Sequence, residues 1–241
     1  MTSSPDPTTA HALPRDKISA GQQAAMFALL DAYFEGVTPE QFTADLAEKS
    51  HVILLERNGR LVGFSTLLIY ETSHEAAPVT VVYSGDTIVA PEAWNSPVLS
   101  RAWINTVNTL RSEHPRGRFY WLLLTSGFRT YRFLPVFWRE FHPCPDRPLP
   151  PAIRALRDHL ATEKFGPAYQ AKAGIVRFGR PQRLRPVLAG LHAGKMNDPH
   201  VAFFLRQNPG HHEGDELVCL TELADSNLTP AGRRMVARPT A

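Results

Sequence analysis

Val79-Thr-Val-Val-Tyr-Ser-Gly-Asp-Thr-Ile-Val-Ala-Pro-Glu-Ala-Trp94 is the stretch whose reading decides the fold. Its β-branched and aromatic residues predict a strand over Val79 to Val89. One charge interrupts it. Asp86 stands in an otherwise apolar run, where burial would raise its pKa toward that of a working base. An aspartate after Gly85 reads equally well as a turn or bulge residue. Beyond the strand, Asn95-Ser96-Pro97 opens a helix, with Ser96 expected at the N-cap and Pro97 at the first helical position. Val98, Leu99, Ala102, Trp103, Val107 and Leu110 give that helix its apolar stripe. A second strong strand follows at Phe119 to Leu124.

Upstream, residues 1–17 are rich in Ser, Thr, Pro and Ala, and are expected to form a flexible arm. Ser19 and Gln22 are spaced as a capping box, with Met26, Leu29, Leu30, Tyr33 and Phe34 behind them. Thr38, Pro39 and Gln41 give a second helix start, with Phe42 and Leu46 as its buried stripe. His51 to Arg57 and Leu61 to Tyr70 flank Asn58-Gly59, the signature of a hairpin with a type I′ turn.

Downstream, Thr125-Ser126-Gly127 leads into a helical aromatic run from Thr130 to Phe141. Phe119, Tyr120, Trp121, Phe128, Phe133, Phe137, Trp138 and Phe141 are more aromatics than a core of this size needs. The excess is read as ordinary core or as the wall of an acyl-chain channel, which Pro135 would help open by kinking the helix. Residues 143–151 hold five prolines and read as a stiff connector. A helix over Ala152 to Lys164, a strand over Ala173 to Phe178 and a short helix over Arg183 to Leu191 are expected next. Val201 to Leu205 and Glu216 to Leu220 read as a hairpin. The resulting organisation is an arm (1–17), a core (18–142), the connector (143–151), a helix and strands that complete the sheet (152–225) and a loose tail (226–241).

The 241 residues carry a net charge of +3 and two cysteines, too few for a disulfide framework. There is no apolar leader and no run long enough to span a bilayer, so a cytoplasmic protein is expected. His211-His212 with Glu213 and Asp215 matches no zinc spacing, and no metal site is expected. No Gly-x-Ser-x-Gly elbow, P-loop or dinucleotide fingerprint is present. No basic stripe with interleaved aromatics points to nucleic acid. Arg154, Arg157, Arg177, Arg180, Arg183 and Arg185 form either a patch for an acidic carrier protein or a solvated face.

The order helix, helix, three strands, helix, strand, helix over about residues 19–141 resembles the GNAT acyltransferase superfamily. That resemblance implies an α/β fold of the α+β kind. Its mixed sheet has two central parallel strands splayed apart and flanked by helices, and a C-terminal extension follows. It also implies a short initial strand near Arg15 to Ile18. The pantetheine of an acyl donor would lie in the V between the splayed strands. The family's donor loop corresponds to Val89-Ala-Pro91-Glu-Ala-Trp94-Asn-Ser-Pro97-Val-Leu99. The valine and Pro91 match the family pattern. Trp94, Pro97 and Leu99 replace an Arg/Gln and two glycine-like positions, and so remove the loop that would cradle a pyrophosphate.

The activity implied is N-acyl transfer from a thioester to a small-molecule or peptide amine. Acyl-CoA or an acyl-phosphopantetheine on a carrier protein would be the co-substrate, with no permanently bound cofactor. Asp86 is then the candidate base, Tyr131 the acid for the leaving thiolate, and Ser126 an oxyanion or donor contact. Ile88, Val89, Asn95, Ser96, Arg129 and Arg132 are candidate donor-binding residues, the two arginines as phosphate partners. The rival reading is a non-catalytic module of the same fold that binds a lipid, a thioester or a protein. An open gap between the strands at Asp86 and Leu124 favours the enzyme. A gap plugged by Trp94, Trp121 or the C-terminal segment favours the module.

Overall fold

The computed structural model describes residues 7–185 and 197–236. Its spine is an eight-stranded mixed sheet in the order β1-β3-β4-β5-β6-β10-β8-β7. The strands are β1 (Thr8–Pro14), β3 (His51–Arg57), β4 (Arg60–His74), β5 (Ala77–Val89), β6 (Arg118–Thr125), β7 (Tyr169–Gln170), β8 (Ile175–Val176) and β10 (Glu216–Glu222). Among the described strands only β5 and β6 pair in parallel. A crossover helix, α3 (Val98–Glu113), makes that pairing possible. A separate two-stranded ribbon joins β2 (Phe34–Glu35) to β9 (Arg183–Leu184).

Alternation along the strands divides the core between two faces. Val82, Trp121, Leu123, Leu217 and Cys219 point to the face covered by α3, α4 (Phe128–Tyr131), α5 (Phe133–Phe137) and α7 (Pro199–Gln207). The opposite face is covered in two parts. α1 (Ala20–Tyr33) and α2 (Pro39–Ala47) lie over Val52, Leu54, Phe64 and Ile88. α6 (Pro151–Phe165) lies over Val81, Tyr83, Leu122, Leu124 and Val218. The junction between these two parts falls beside β5 and is bridged by Lys164 Nζ, 2.6 Å from Glu48 Oε2.

Local chemistry accounts for most starts and turns. Ser19 and Gln22 make the reciprocal capping box, and Thr38 Oγ1 accepts the amide of Gln41 ahead of Pro39 at the first turn. Asn58 and Gly59 take positive φ of 52° and 73°, as a type I′ turn requires. Several expectations are corrected. The initial strand is Thr8–Pro14, so the second half of the supposed arm is an edge strand followed by a 3₁₀ turn at Arg15–Lys17. Val201 to Leu205 is helical: Asp198 caps α7 through the amides of His200 and Val201, and Pro199 starts its first turn. Arg183 and Leu184 form a strand, Arg185 is not helical, and residues 186–191 of the expected helix lie outside the described residues. The tail contains α8 (Pro230–Met235), capped by Thr229.

The aromatic run breaks into α4 and α5, and its rings fill the core. Trp103, Trp121 and Trp138 meet with centroids 4.1, 4.9 and 5.7 Å apart. Phe119, Phe128, Phe137 and Phe141 are buried in the same cluster. Most of these aromatics are therefore packed into the core.

Candidate active site

β5 and β6 are paired from Val79↔Arg118 to Ser84↔Leu123. The pairing then stops, although β5 continues to Val89 and β6 to Thr125. Each strand follows its outer neighbour: Thr87, Ile88 and Val89 stay on β4, while Leu124 and Thr125 stay on β10. A slot opens between them. A β-bulge marks the point of parting. Ser65 opposes Thr87 and Leu67 opposes Ser84, so Gly85 and Asp86 together face Thr66. The extra residue bends β5 away from β6. Trp121 Nε1 donates to Ser84 Oγ at 3.0 Å and ties the last paired rung.

The face under α3 and α4 is occupied by the chain itself. The Ala90 amide donates to Val62 O in β4 at 2.7 Å. In a trans peptide the Val89 carbonyl must then point the other way, toward the slot. Trp94 Nε1 donates to that carbonyl at 2.8 Å. Arg129, one residue into α4, stacks on Trp94 with Cζ 3.8 Å from the ring centre. Burial lowers the Arg129 pKa, and its Nε and Nη1 have no hydrogen-bond partner. An indole and a guanidinium therefore join the two parted strands where a glycine loop was missing.

The other expected donor residues are distributed unevenly. Ile88 is buried against Phe64 under α1 and α2. Asn95 is exposed. Ser96 Oγ accepts the Val98 amide at 3.3 Å, but α3 begins at Val98 with Pro97 as its N-cap, one residue later than expected. Arg132 Nε lies 3.0 Å from Asp198 Oδ2 and so secures the start of α7. Ser126 follows β6 at the open end, in a turn fixed by Thr125 Oγ1, which donates to Gly127 O at 2.6 Å. Tyr131 is wholly buried among Phe141, Phe203 and Phe204, and its hydroxyl donates to Pro143 O at 3.0 Å. Burial drives its pKa far up, and it reaches no solvent. The expectation that it protonates a thiolate is corrected on that ground.

The opposite face of the slot is polar. Asp86 sits at the bulge, and burial raises its pKa against the opposing pull of Lys49. Lys49 follows α2 and is 8% exposed. A Cβ on Gly85 would lie 2.9 Å from Lys49 Cε and 3.3 Å from its Nζ, so the glycine gives the lysine its berth against the strand. Burial lowers the Lys49 pKa, opposed chiefly by Asp86 and then Asp45. The same Cβ would lie 3.1 Å from Thr66 Oγ1, a buried hydroxyl with no hydrogen-bond partner. Glu216, the first residue of β10, adjoins the far wall through Leu217↔Thr125. Burial, then Asp86 and Asp45, push its pKa up to about 8. Burial likewise raises Asp45, on α2.

Sequence reasoning found Asp86 as an odd charge in a strand. It missed Lys49, Asp45 and Glu216, which come from a helix end, a helix and a distant strand. The segment after β8 runs from one half of the sheet to the other. Arg177 pairs with Asp215 at 2.6 Å, and β9 then pairs with β2 beside α1. Pro181 fits between Gly36 and Gly214, where a Cβ would come within 2.8 Å of Pro181 O and 2.6 Å of Pro181 Cβ respectively. Most of the supposed carrier-protein patch is committed. Arg157 is buried beside Asp158, Arg183 Nε donates to Glu213 O, and Arg185 donates to Asp31 O. Among the described residues no group of three His, Cys, Asp or Glu is arranged to hold a metal ion, and no helix is long and apolar enough to cross a membrane.

No protein-family model matches the sequence, and no curated protein is similar to it. Solved structures do align with part of it. A probable N-acyltransferase from Enterococcus faecalis is 12% identical over 56% of this chain, with a TM-score of 0.42. This chain covers 33% of that protein's length. ElaA from Escherichia coli is 18% identical over 58% of this chain and 94% of its own, with a TM-score of 0.37. N-acetylglutamate synthase from Neisseria gonorrhoeae, solved with coenzyme A and N-acetyl-glutamate, is 17% identical over 64% of this chain and 32% of its own, with a TM-score of 0.37. The fold is a mixed sheet flanked by helices, and the one parallel pair among the described strands is splayed at a bulge.

Proposed function

We propose that this chain is an N-acyltransferase that moves an acyl group from a thioester, on coenzyme A or a carrier protein, to an amine. The observation that supports it most is the parted pair, with a carboxylate on the bulge at its apex. The bare edge of β5 offers the amides of an extended pantetheine arm a strand to pair with. Asp86 takes a proton from the acceptor ammonium, and the freed amine attacks the thioester carbonyl. The C–N bond forms, the C–S bond breaks and the thiolate leaves. Lys49 is the ammonium nearest the apex; it supplies the thiolate's proton in place of Tyr131 and is recharged by the second proton that the attacking nitrogen loses as the amide forms. Its burial supports this role, because a lowered lysine pKa approaches that of a thiol.

Trp94 and Arg129 close the donor side at rest, an arrangement that by itself favours the module; on the enzyme reading a thioester arm displaces the indole from the Val89 carbonyl. The unpaired Arg129 donors then meet a phosphate, on either kind of donor. The test is thiol release from acyl-CoA and from acylated carrier protein, with a panel of primary amines. Amine-dependent release that Asp86→Asn abolishes is the expected result. No release with either donor across the panel sinks the reading and leaves a non-catalytic module.

A further inference from the structure

Counting charges at the slot leaves a deficit of cations. Glu48 and Lys164 neutralise one another at 2.6 Å. What remains around the apex is Asp45 from α2, Asp86 from β5 and Glu216 from β10, against the single ammonium of Lys49. Among the described residues none of these three carboxyls has an ion pair or a side-chain hydrogen bond to another residue. Two further groups point to a missing ligand. Lys49 is more than nine-tenths buried, yet no carboxylate lies within ion-pair distance of it among the described residues. Its contact is the Tyr83 ring, 5.3 Å away. Thr66 is wholly buried, its Oγ1 unpartnered beside the same glycine. Buried polar groups are ordinarily satisfied, so the orphaned Thr66 hydroxyl, beside a lysine and three carboxyls that have no ion pair among the described residues, marks a place where something polar binds.

We infer that the slot between Asp86 and Glu216 takes an organic dication, an amine acceptor bearing a second ammonium group. One ammonium lies at Asp86 and is the group acylated. The other lies at Glu216 on the far wall and stays charged. Two ammonium groups draw Asp86 and Glu216, whose proton affinity burial raises, into the ionised forms that Lys49 alone leaves uncompensated. An acceptor with a carboxylate near its amine, such as a free amino acid, would add to the excess negative charge and is rejected. This inference rests on the transferase reading for which ammonium reacts. The binding of a dication does not depend on it.

Isothermal titration calorimetry tests it without any acyl donor. The probes are 1,4-diaminobutane, butylamine and 4-aminobutyrate, near pH 8. Diaminobutane is expected to bind about tenfold or more tighter than butylamine, the scale of one partly buried charge pair. No heat is expected from 4-aminobutyrate. Glu216→Gln, near-isosteric, should bring diaminobutane down to butylamine, and Glu216→Lys should bring it lower still. Circular dichroism confirms that both variants fold. Equal affinities for diamine and monoamine, tighter binding of 4-aminobutyrate, or no binding of any probe overturns the inference. Diamine binding without thiol release in the transfer assay breaks only the transferase reading. Thiol release without a preference for diamines breaks only this one.

Discussion

The two faces of the slot are built on opposite principles. On the α3 and α4 face the chain has satisfied itself: an indole caps the free carbonyl and an arginine stacks on the indole. On the α2 and α6 face it has not: among the described residues, a lysine, a threonine and three carboxyls converge with no ion pair or side-chain hydrogen bond to one another. A filled face can be opened at the expense of a hydrogen bond and a stack. An unsatisfied face waits for a ligand. On the proposed reading, the filled face is where donor binding is gated and the unsatisfied face is where the acceptor's chemistry is prepared.

The largest break in that comparison is Asp86→Asn. Loss of a general base should lower kcat about 10²- to 10⁴-fold, measured by thiol release, with the fold intact by circular dichroism. Gly85→Ala comes next. Its methyl would press on Lys49 Cε at 2.9 Å and Thr66 Oγ1 at 3.1 Å. It should lower kcat about tenfold, as a misplaced catalytic group does, and flatten the pH profile of kcat.

Trp94→Phe sharpens the other side. It keeps an aromatic ring for Arg129 but loses the bond to Val89, so denaturant unfolding should show a loss of about 0.5–1.5 kcal/mol. The KM for the thioester should fall, because the carbonyl is already free. A KM that rises would mean that Trp94 holds the donor and does not gate it.

The smallest effect is on stability. Glu216 has a pKa raised from 4.5 to about 8 by folding, so the native state holds its proton more tightly than the unfolded chain. Its contribution is whole below about pH 4.5 and is lost as pH rises toward 8. Glu216→Gln carries no such penalty. Its Tm relative to wild type should therefore climb between pH 5 and pH 8, and a gap that stays flat would place Glu216 in ordinary solvent.

How much of this was legible follows from where the physics is local. Capping at Ser19 and Thr38 and the Asn58-Gly59 turn depend on neighbours in sequence, and they were read correctly. Val201-Ala-Phe-Phe-Leu205 has strand composition, but Asp198-Pro199 is a helix start, and the cap prevailed. Thr229-Pro230 carried the same signal in the supposed tail. Thr8–Pro14 is too polar to read as a strand, because only one side of it is paired and little of it is buried. At the site, Asp86 stood out alone. Lys49, Asp45 and Glu216 look like surface charges in sequence and gain meaning only when α2 and β10 bring them to the bulge.

The central claim is that β5 leaves β6 after Ser84 with its edge bare. Amide hydrogen exchange resolved by residue tests it directly. By strand alternation from Ala90, whose amide faces β4, the amides of Thr87 and Val89 face the slot. They should exchange fast in the free protein while the paired stretch Val79–Ser84 stays protected, and Thr87 and Val89 should slow when a thioester analogue binds. If Thr87 and Val89 are as protected as Val81 and Val82 without any ligand, the strands are joined along their length and the slot does not exist.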